Sequence, residues 1–419
     1  MENLNKVKNL RNNTIMLYLL TFSNYFFALA TIPYQTRVLK PEIYGLVGFA
    51  MAVMMYFQLV IDFGFVLSAT QHVAENHDNI TNLRKITTSV LFAKIFLSLI
   101  CLPAFIAIDL YIDILKDEIL LFVLFFLHTA FNSLIPDYLY RGLENMKIIT
   151  VRTVAMKAFF AVMILLFLKD NSQYCLIPLL YLLGSFSAVI WSYYDIYKRF
   201  NIYFVNIGFD DILYEIKESF PFFVSRIATT VYGASNVLIL KSVYPSNIEI
   251  GYYTSSDKIV SVARSAASPI ADSLYPYMVK NRDYRIIVKL LIRVVPIVVI
   301  GCAILWFYSV PICMFVFGSD YIEAGIVLKY MIPLMIMALP NYVLGFPALV
   351  PLGLSRIANM SNVIGAIIQV IGLGVLYFAN LIDVYNLCII TSLSELSILV
   401  IRFCAVVYGI KKNHIAIGN

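Results

Sequence analysis

The 419-residue sequence has few charged residues and few of the side chains that enzymes use for chemistry. Charged residues make up only 13% of the chain, and a glycine-rich phosphate loop and an ATPase domain are lacking. We therefore expect no enzymatic centre, no cofactor and no metal site, so that any work must come from ion gradients or mass action. The four histidines also follow no metal-ligand or catalytic-triad spacing: His72, His77, His128 and His414.

Cysteine pairs are missing as well. The six cysteines form no C-x-x-C pair and lie in or beside apolar segments, which excludes a disulfide framework and a zinc site. The net charge of +6 is spread along the chain without a basic run or a zinc pattern, so we expect no nucleic-acid partner. The cysteines are Cys101, Cys175, Cys302, Cys313, Cys388 and Cys404.

Hydrophobic residues, by contrast, make up 61% of the chain. The mean hydropathy of +0.83 is far above that of a soluble globular protein, which predicts an all-α integral membrane protein with many spans. About 20 helical residues cross the hydrocarbon of a bilayer, and each predicted apolar segment is long enough. The twelve segments lie near residues 12–36, 43–70, 86–108, 118–140, 149–168, 174–197, 218–241, 250–276, 287–312, 324–350, 357–379 and 384–408.

Lysine and arginine are distributed unevenly between the predicted loops. Of the 31 basic residues, 18 lie on the side of the N-terminus, which carries Lys6, Lys8 and Arg11, and 5 lie on the opposite side. Because cytoplasmic loops carry an excess of basic residues, we predict that both termini are cytoplasmic. The first segment superficially resembles a cleavable signal peptide, but Ser23 and Asn24 interrupt its apolar run, so we expect a retained helix.

An amphipathic connector over residues 201–217 divides the chain into a predicted N-terminal six-helix bundle, 1–200, and a C-terminal one, 218–419. A faint internal repeat accompanies this division. Leu-Lys-Pro, then Tyr-Gly at Gly45, opens the second segment, and Val-Tyr-Pro, then Ile-Gly at Gly251, opens the eighth. Such repeats are typical of secondary transporters, whose substrate site lies between the repeated halves.

The eighth segment carries a polar stripe. Asp257, Ser261, Arg264, Ser268 and Asp272 follow one another at steps of 4, 3, 4 and 4, which places them within about 80° of arc on a helix. An intramembrane charge costs at least about 2.5 kcal/mol and usually faces a bundle interior or a water-filled cavity. The stripe therefore predicts a substrate path, and the alternative is a structural network of charges paired between helices.

Other polar residues extend this predicted site. The seventh segment has a second stripe with Arg226, Thr229, Gly233 and Asn236, and cations outnumber carboxylates, which suits an anionic substrate such as a phosphate. We predict that the substrate-binding residues are Arg264, Lys258, Arg226, Arg37, Arg293 and Asn236. For ion coupling or charge balance we predict Asp257, Asp272 and Asp62.

Several deep charges allow a purely structural interpretation. Glu395 and Arg402 lie seven residues apart on one face of the last helix, where a mutual or interhelical salt bridge is at least as well supported as substrate binding. Lys94, Lys157 and Lys329 are expected to extend toward a membrane face.

Particular strings resemble the polysaccharide flippases of the Wzx O-antigen transporter type, in order over nearly the whole chain. The most specific is IPDYLYRGLENM (135–146), which resembles the family's P-x-W-x-x-x-G-x-E-x-M string with Tyr138 where the family commonly has Trp. The other strings are IPYQTRVLKPEIYGLVGFA (32–50), LVIDFGFVLSAT (59–70), GYYTSSDKIVSVARSAASPIADSLYP (251–276) and LVPLGLSR (349–356).

That resemblance implies the multidrug/oligosaccharidyl-lipid/polysaccharide exporter fold, with about 12 transmembrane helices in two six-helix bundles around a central cavity. It also implies a substrate, an oligosaccharide repeat unit of O-antigen or capsule on undecaprenyl diphosphate, which alternating access moves from the cytoplasmic to the outer leaflet of the bacterial inner membrane. Expected partners are this lipid-linked oligosaccharide, membrane lipids, and the polymerase and chain-length regulator of the same pathway.

Three alternatives remain open. A purely structural membrane scaffold would have no reason to retain four charges in one span. An ion-coupled multidrug or small-molecule exporter of the same fold would be expected to have a more acidic cavity. A membrane-embedded sugar polymerase or ligase would be expected to carry a large external loop, whereas each predicted external loop here has about 15 residues or fewer.

Overall fold

The computed structural model describes the backbone of residues 2–111 and 117–412. Side chains are described for the same residues apart from 2–14, 108–111 and a few positions in 225–232 and at 276. His414 and the side chains of Lys6, Lys8, Arg11 and Thr229 therefore lie outside the described residues.

Every regular element among the described residues is helical, which confirms the all-α class. The N-terminal half contains α1 (Glu2–Asp62), α2 (Phe65–Glu75), α3 (Ile80–Tyr111), α4 (Ile119–Leu134), α5 (Asp137–Gly142), α6 (Met146–Phe167) and α7 (Leu176–Phe200). The C-terminal half contains α8 (Phe209–Val243), α9 (Ile248–Asn281), α10 (Tyr284–Phe317), α11 (Ile322–Leu344), α12 (Phe346–Leu349), α13 (Ser355–Phe378) and α14 (Val384–Lys412).

Helix α1 contains the first predicted span and most of the second, separated by a kink. Lys40 has φ 58° and ψ 169°, which is not helical. Pro41 follows it, and a residue before proline is sterically driven out of the helical region. The chain therefore changes direction in the predicted loop even though helical residues continue on both sides.

Nine stretches of the described residues are long and apolar enough to cross a membrane, and the first of them, Ile15–Glu75, covers both spans of α1. Helices α8 and α9 have 35 and 34 residues, well above the length needed to span, although neither belongs to those nine stretches. The first stretch counts as two spans, so the nine stretches together with α8 and α9 correspond to the predicted twelve spans. The protein is thus a multi-pass membrane protein.

The chain forms two compact units: unit 1 comprises Met1–Leu39 and Ala50–Ile227, and unit 2 comprises Lys40–Phe49 and Ala228–Asn419. The boundary lies inside α8, whereas the sequence predicted a C-terminal bundle beginning at residue 218. Of the predicted connector 201–217, only residues 201–208 lack helical structure, because α8 already begins at Phe209.

The packing of unit 1 explains the motif over residues 135–146. Tyr138 and Tyr140 on α5 are fully buried, and the Tyr140 hydroxyl donates to the Asp195 carboxylate on α7 at 3.1 Å. A side chain at Gly142 would lie 2.5 Å from Val73 on α2, so only glycine allows this close approach. The motif therefore holds α5 against α2 and α7 within unit 1.

The repeated glycines contact one another's helices within unit 2. A Cβ atom at Gly45 would lie 1.9 Å from the Asn247 carbonyl oxygen, and one at Gly251 would lie 2.0 Å from the Pro41 carbonyl oxygen. Both neighbours are backbone atoms, which cannot move aside as a flexible side chain would. The internal repeat thus marks a close crossing of the segment 40–49 with α9.

We predict that Gly251→Ala lowers the free energy of unfolding of the protein by about 1–3 kcal/mol, because the new methyl group forces two backbones apart. Thermal unfolding of the purified protein in detergent measures this. Gly301→Ala on α10 is the matched control, since a Cβ atom there has open space and alanine favours a helix over glycine. Equal unfolding temperatures for Gly251→Ala and the parent would contradict the prediction.

Candidate functional site

Unit 1 contains a cluster of charges around Asp62, the buried last residue of α1. The Lys94 Nζ atom on α3 lies 3.8 Å from Asp62 Oδ1, and the Arg226 Nη1 atom on α8 lies 3.9 Å from Asp62 Oδ2. The Gln58 amide also donates to the Asp62 carboxylate at 3.4 Å. Two cations thus share one carboxylate among these side chains.

The structure contradicts the expectation that Lys94 extends toward a membrane face. Its side chain is 2% exposed, and its ammonium group donates to the Ser133 carbonyl oxygen. The same group lies 5.6 Å from the centre of the Tyr138 ring, a cation–π distance. The prediction was wrong because the partners of Lys94 come from α1, α4 and α5, which the spacing within one helix does not reveal.

In unit 2, the polar stripe of α9 lies away from the buried face of the helix. Val260, Ala267, Ala271 and Leu274 are buried on one side, while the stripe residues are half-buried or exposed. Two of the predicted carboxylates have serine partners one turn away: Ser261 donates to Asp257 at 3.3 Å, and Ser268 donates to Asp272 at 3.1 Å. Lys258 on the same helix is half-buried.

Arg264 belongs to an interhelical network. Its Nη2 atom donates to Glu395 Oε1 on α14 at 3.1 Å, and the Asn341 amide on α11 donates to Glu395 Oε2 at 2.6 Å. The alternative of charges paired between helices is therefore realised for Arg264. The spacing on α9 did not reveal these partners, but the interhelical salt bridge considered for Glu395 from the sequence is present, with Arg264 as its cation.

Arg402 makes no direct ion pair with Glu395 among the described contacts. Its guanidinium group is buried and donates to the Asn341 carbonyl oxygen at 2.6 Å and to the Asn362 side chain at 2.7 Å. It also donates to Ser361 at 2.9 Å. Arg402 thus joins α11 and α13 to α14 and holds the structure around Glu395.

Asn236, predicted to contact substrate, lies in a buried network of unit 2. Its amide nitrogen donates to the Tyr253 hydroxyl at 2.7 Å and to the Thr391 hydroxyl at 2.8 Å, and its oxygen accepts from Gln369 at 2.7 Å. Only 1% of the residue is exposed. This position indicates a role in joining α8, α9, α13 and α14.

We predict that Asn236→Ala destabilises the protein by about 1–3 kcal/mol, because it leaves buried partners unsatisfied, while transport per folded molecule is retained. Parallel measurements of unfolding temperature and of transport per folded molecule in membrane vesicles check both parts. Loss of transport with unchanged stability would restore the substrate-binding role.

Two further predicted site residues lie at exposed positions. Arg37 is exposed in unit 1, and Arg293 is exposed on α10 next to Ile292, which is 68% exposed. Helix α10 is the most exposed of the apolar spans among the described residues, with 6% of its apolar window buried. The described contacts do not bring Arg293 together with the stripe of α9.

Comparison with known proteins connects these features with a family. The model of the family described as "Polysaccharide biosynthesis protein" matches residues 10–282. The chain belongs to this family. The match covers α9 with its polar stripe, and it confirms the resemblance to polysaccharide flippases.

A curated relative agrees with this family. A protein of Shigella dysenteriae named "Putative O-antigen transporter" is 26% identical over 367 residues, covering 86% of this chain and 91% of that protein.

Solved structures show the same fold. The lipid II flippase MurJ in an inward closed conformation matches with a TM-score of 0.71 at 14% identity, covering 94% of this chain and 87% of that one. An inward-facing multidrug resistance MATE transporter of the MOP superfamily matches with a TM-score of 0.71 at 13% identity, covering 96% and 98%. The fold is therefore that of this exporter superfamily, with about twelve helices in two bundles.

Proposed function

We propose that the protein is a flippase that moves an oligosaccharide linked to undecaprenyl diphosphate from the cytoplasmic to the outer leaflet of the bacterial inner membrane. The observation that carries this proposal is helix α9, which is long enough to span and carries Arg264 in its polar stripe and Lys258 beside the stripe, away from the buried face of the helix. Relatives named as O-antigen transporters and the family match support the lipid-linked sugar as the substrate.

The diphosphate is the part of this substrate that cations recognise. A guanidinium group matches phosphate oxygens with paired N–H donors, and an ammonium group adds a point charge. In unit 2 we assign these contacts to Arg264 and Lys258, and we assign Glu395 the role of orienting the Arg264 side chain through their 3.1 Å hydrogen bond. In unit 1 we assign a contact to Arg226.

The carboxylates have a different proposed role. Asp257 and Asp272 lie on either side of Lys258 and Arg264 along α9. Asp62 lies within 4 Å of Lys94 and Arg226 in unit 1. We propose that these three carboxylates balance charge or couple transport to an ion. Arg37 stays a proposed phosphate contact, whereas the positions of Asn236 and Arg293 lead us to leave both out.

The alternative of a multidrug or small-molecule exporter rests on fold alone, since the MATE transporter shares 13% of its residues with this chain. Cations outnumber carboxylates among the predicted site residues, which favours an anionic substrate. The proposed mechanism includes no chemical reaction, because alternating access moves an intact lipid. We also propose that both termini lie in the cytoplasm.

The proposal is tested by deleting the gene in the bacterium that carries it. The expected result is loss of surface polysaccharide, together with accumulation of the lipid-linked repeat unit in the inner leaflet, because the polymerase and chain-length regulator outside then lack substrate. Surface polymer is measured by gel staining, and the lipid intermediate by extraction and mass spectrometry. Unchanged surface polymer with altered sensitivity to toxic dyes would instead support the exporter.

A further inference from the structure

Unit 1 contains a cavity of about 680 Å³ that lies between the end of α2, the start of α3 and the first turns of α8. These helix ends adjoin the loops predicted to be cytoplasmic. The volume lies within the range of about 300–1,000 Å³ that is common for small-ligand sites. Its lining contains one lysine, Lys85, and five carboxylates: Glu75, Asp210, Asp211, Glu215 and Glu218.

Part of this lining is held in place by pairs between helices. Lys85 lies 2.7 Å from Asp211, and this hydrogen bond lowers the pKa of the Asp211 carboxyl. His72 lies 3.2 Å from Glu215, and burial raises the pKa of the Glu215 carboxyl. The walls contributed by α2, α3 and α8 are thus connected, and the cavity has a defined shape.

A second observation points to a ligand. Ser89 lines the cavity and is 2% exposed, and its hydroxyl oxygen has no hydrogen-bond partner among the described residues. Buried polar side chains are nearly always hydrogen-bonded, so such an atom calls for an explanation. A bound molecule with hydroxyl or amide groups in the cavity would supply the partner.

The chemistry of the lining suits a sugar. Carboxylate and amide oxygens accept hydrogen bonds from sugar hydroxyls and acetamido N–H groups, and Gln71, Asn76 and Asn82 add amides to the carboxylates. Tyr214 and Phe222 supply aromatic surface, with the Tyr214 ring stacked on His72 at 6.1 Å. An acidic sugar would bring a like charge toward five carboxylates, which is unfavourable.

The cavity also lies close to cations of the same unit. On α8, Arg226 follows Phe222 by four residues, a rise of about 6 Å along the helix. On the other side, Asp62 precedes Ser68 by six residues of the α1–α2 segment. The cluster of Asp62, Lys94 and Arg226 is therefore about one helical turn along α8 from the acidic cavity, so one unit offers a cationic and an acidic region in succession.

We infer that this cavity binds the saccharide headgroup of the lipid-linked substrate, and that it selects neutral or amino sugars over uronic acids. The inference rests on the proposed function, because it assigns the sugar to the cavity and the diphosphate to the cations. On this assignment the cavity determines specificity for the glycan and does not recognise the lipid carrier.

The test uses the full-length protein in nanodiscs and two free probes, chitotriose and trigalacturonic acid. Saturation-transfer difference NMR is expected to show binding of chitotriose, with binding of trigalacturonic acid weaker by roughly tenfold or more because of like-charge repulsion. Asp210→Asn combined with Glu218→Gln is expected to remove most of that difference, and Ser89→Leu to weaken chitotriose binding by filling the cavity. Asp78→Asn, a fully exposed carboxylate outside the lining on the same loop side, is the matched control and should change nothing.

The outcomes separate the two proposals. The cavity assignment is overturned if neither probe binds, even when the protein transfers lipid-linked sugar. It is also overturned if the parent binds the two probes equally and the charge variant, Asp210→Asn with Glu218→Gln, does the same. Selective chitotriose binding without any lipid transfer upholds the cavity as a saccharide site and overturns the proposed flippase function. The charge variant gains binding of the acidic probe, so misfolding cannot imitate the expected result.

Discussion

Replacement of Arg264 by alanine is expected to reduce surface polysaccharide by about tenfold or more, because it removes the proposed contact with the diphosphate. Truncating one partner of a desolvated charge pair typically costs about 2–5 kcal/mol. Arg264 is the proposed phosphate contact of unit 2, and Glu395 orients it from α14 at 3.1 Å. The measurement is surface polymer in cells that carry only the variant, normalised to the amount of folded protein in the membrane.

A matched variant separates transport from stability. Arg264→Ala alone leaves the Glu395 carboxylate, with 16% of its side chain exposed, without its cation, whereas Arg264→Ala combined with Glu395→Gln removes both charges. We expect the double variant to regain stability but not transport. Full transport by a stable double variant would show that Arg264 serves only to form an interhelical ion pair. It would contradict the assignment of Arg264 to the diphosphate.

Replacement of Asp62 by asparagine is expected to destabilise the protein by about 3–5 kcal/mol, because it leaves the Lys94 ammonium group buried without its carboxylate. The two groups are 3.8 Å apart, and their side chains are 9% and 2% exposed. Arg226 lies 3.9 Å from the same carboxylate, and removal of that negative charge would leave Arg226 and Lys94 as two neighbouring cations that repel each other. Chemical or thermal unfolding of purified protein in detergent measures the loss.

The combination of Asp62→Asn with Lys94→Met is expected to recover most of that stability, since replacing a buried ion pair with apolar groups is often neutral or stabilising. Asp78→Asn is the control for removal of a carboxylate at an exposed position. An Asp62→Asn variant as stable as the parent would show that Lys94 is compensated by other groups. A destabilised double variant would show that the carboxylate itself is required.

The spans and the polar stripe of α9 could be predicted because both depend on one segment alone. The length of an apolar run sets whether a helix crosses the membrane, and the spacing of Asp257, Arg264 and Asp272 sets their common face. Even the kink at Lys40 lies between the first two predicted segments, 12–36 and 43–70. These features need no knowledge of neighbouring helices.

The partners of the charges could not be predicted in the same way. Arg264 and Glu395 are 131 residues apart, and Lys94 and Asp62 belong to different helices. Which charges meet depends on the depth and rotation of two helices at once, and one sequence does not fix either. For the same reason, spacing alone placed Asn236 on a predicted substrate stripe. In the structure its amide is hydrogen-bonded to side chains of neighbouring helices.

The acidic cavity of unit 1 shows a further limit of spacing. The residues 209–217 looked like part of a cytoplasmic connector, but α8 begins at Phe209, and its first turns bring Asp210 and Glu215 against α2 and α3. Charges of a connector thereby become the lining of a cavity. Charge patterning alone gave no sign of the buried Ser89 beside them.

The most direct measurement is lipid transfer itself, in proteoliposomes that contain the purified protein and a fluorescent undecaprenyl diphosphate carrying a neutral oligosaccharide. Accessibility of the sugar to an added lectin reports which leaflet it occupies. We predict rapid transfer by the parent and none above protein-free vesicles by the variant with Arg264→Ala and Glu395→Gln. Equal transfer by both proteins, or no transfer by a folded parent across several neutral glycans, would contradict the proposed flippase mechanism.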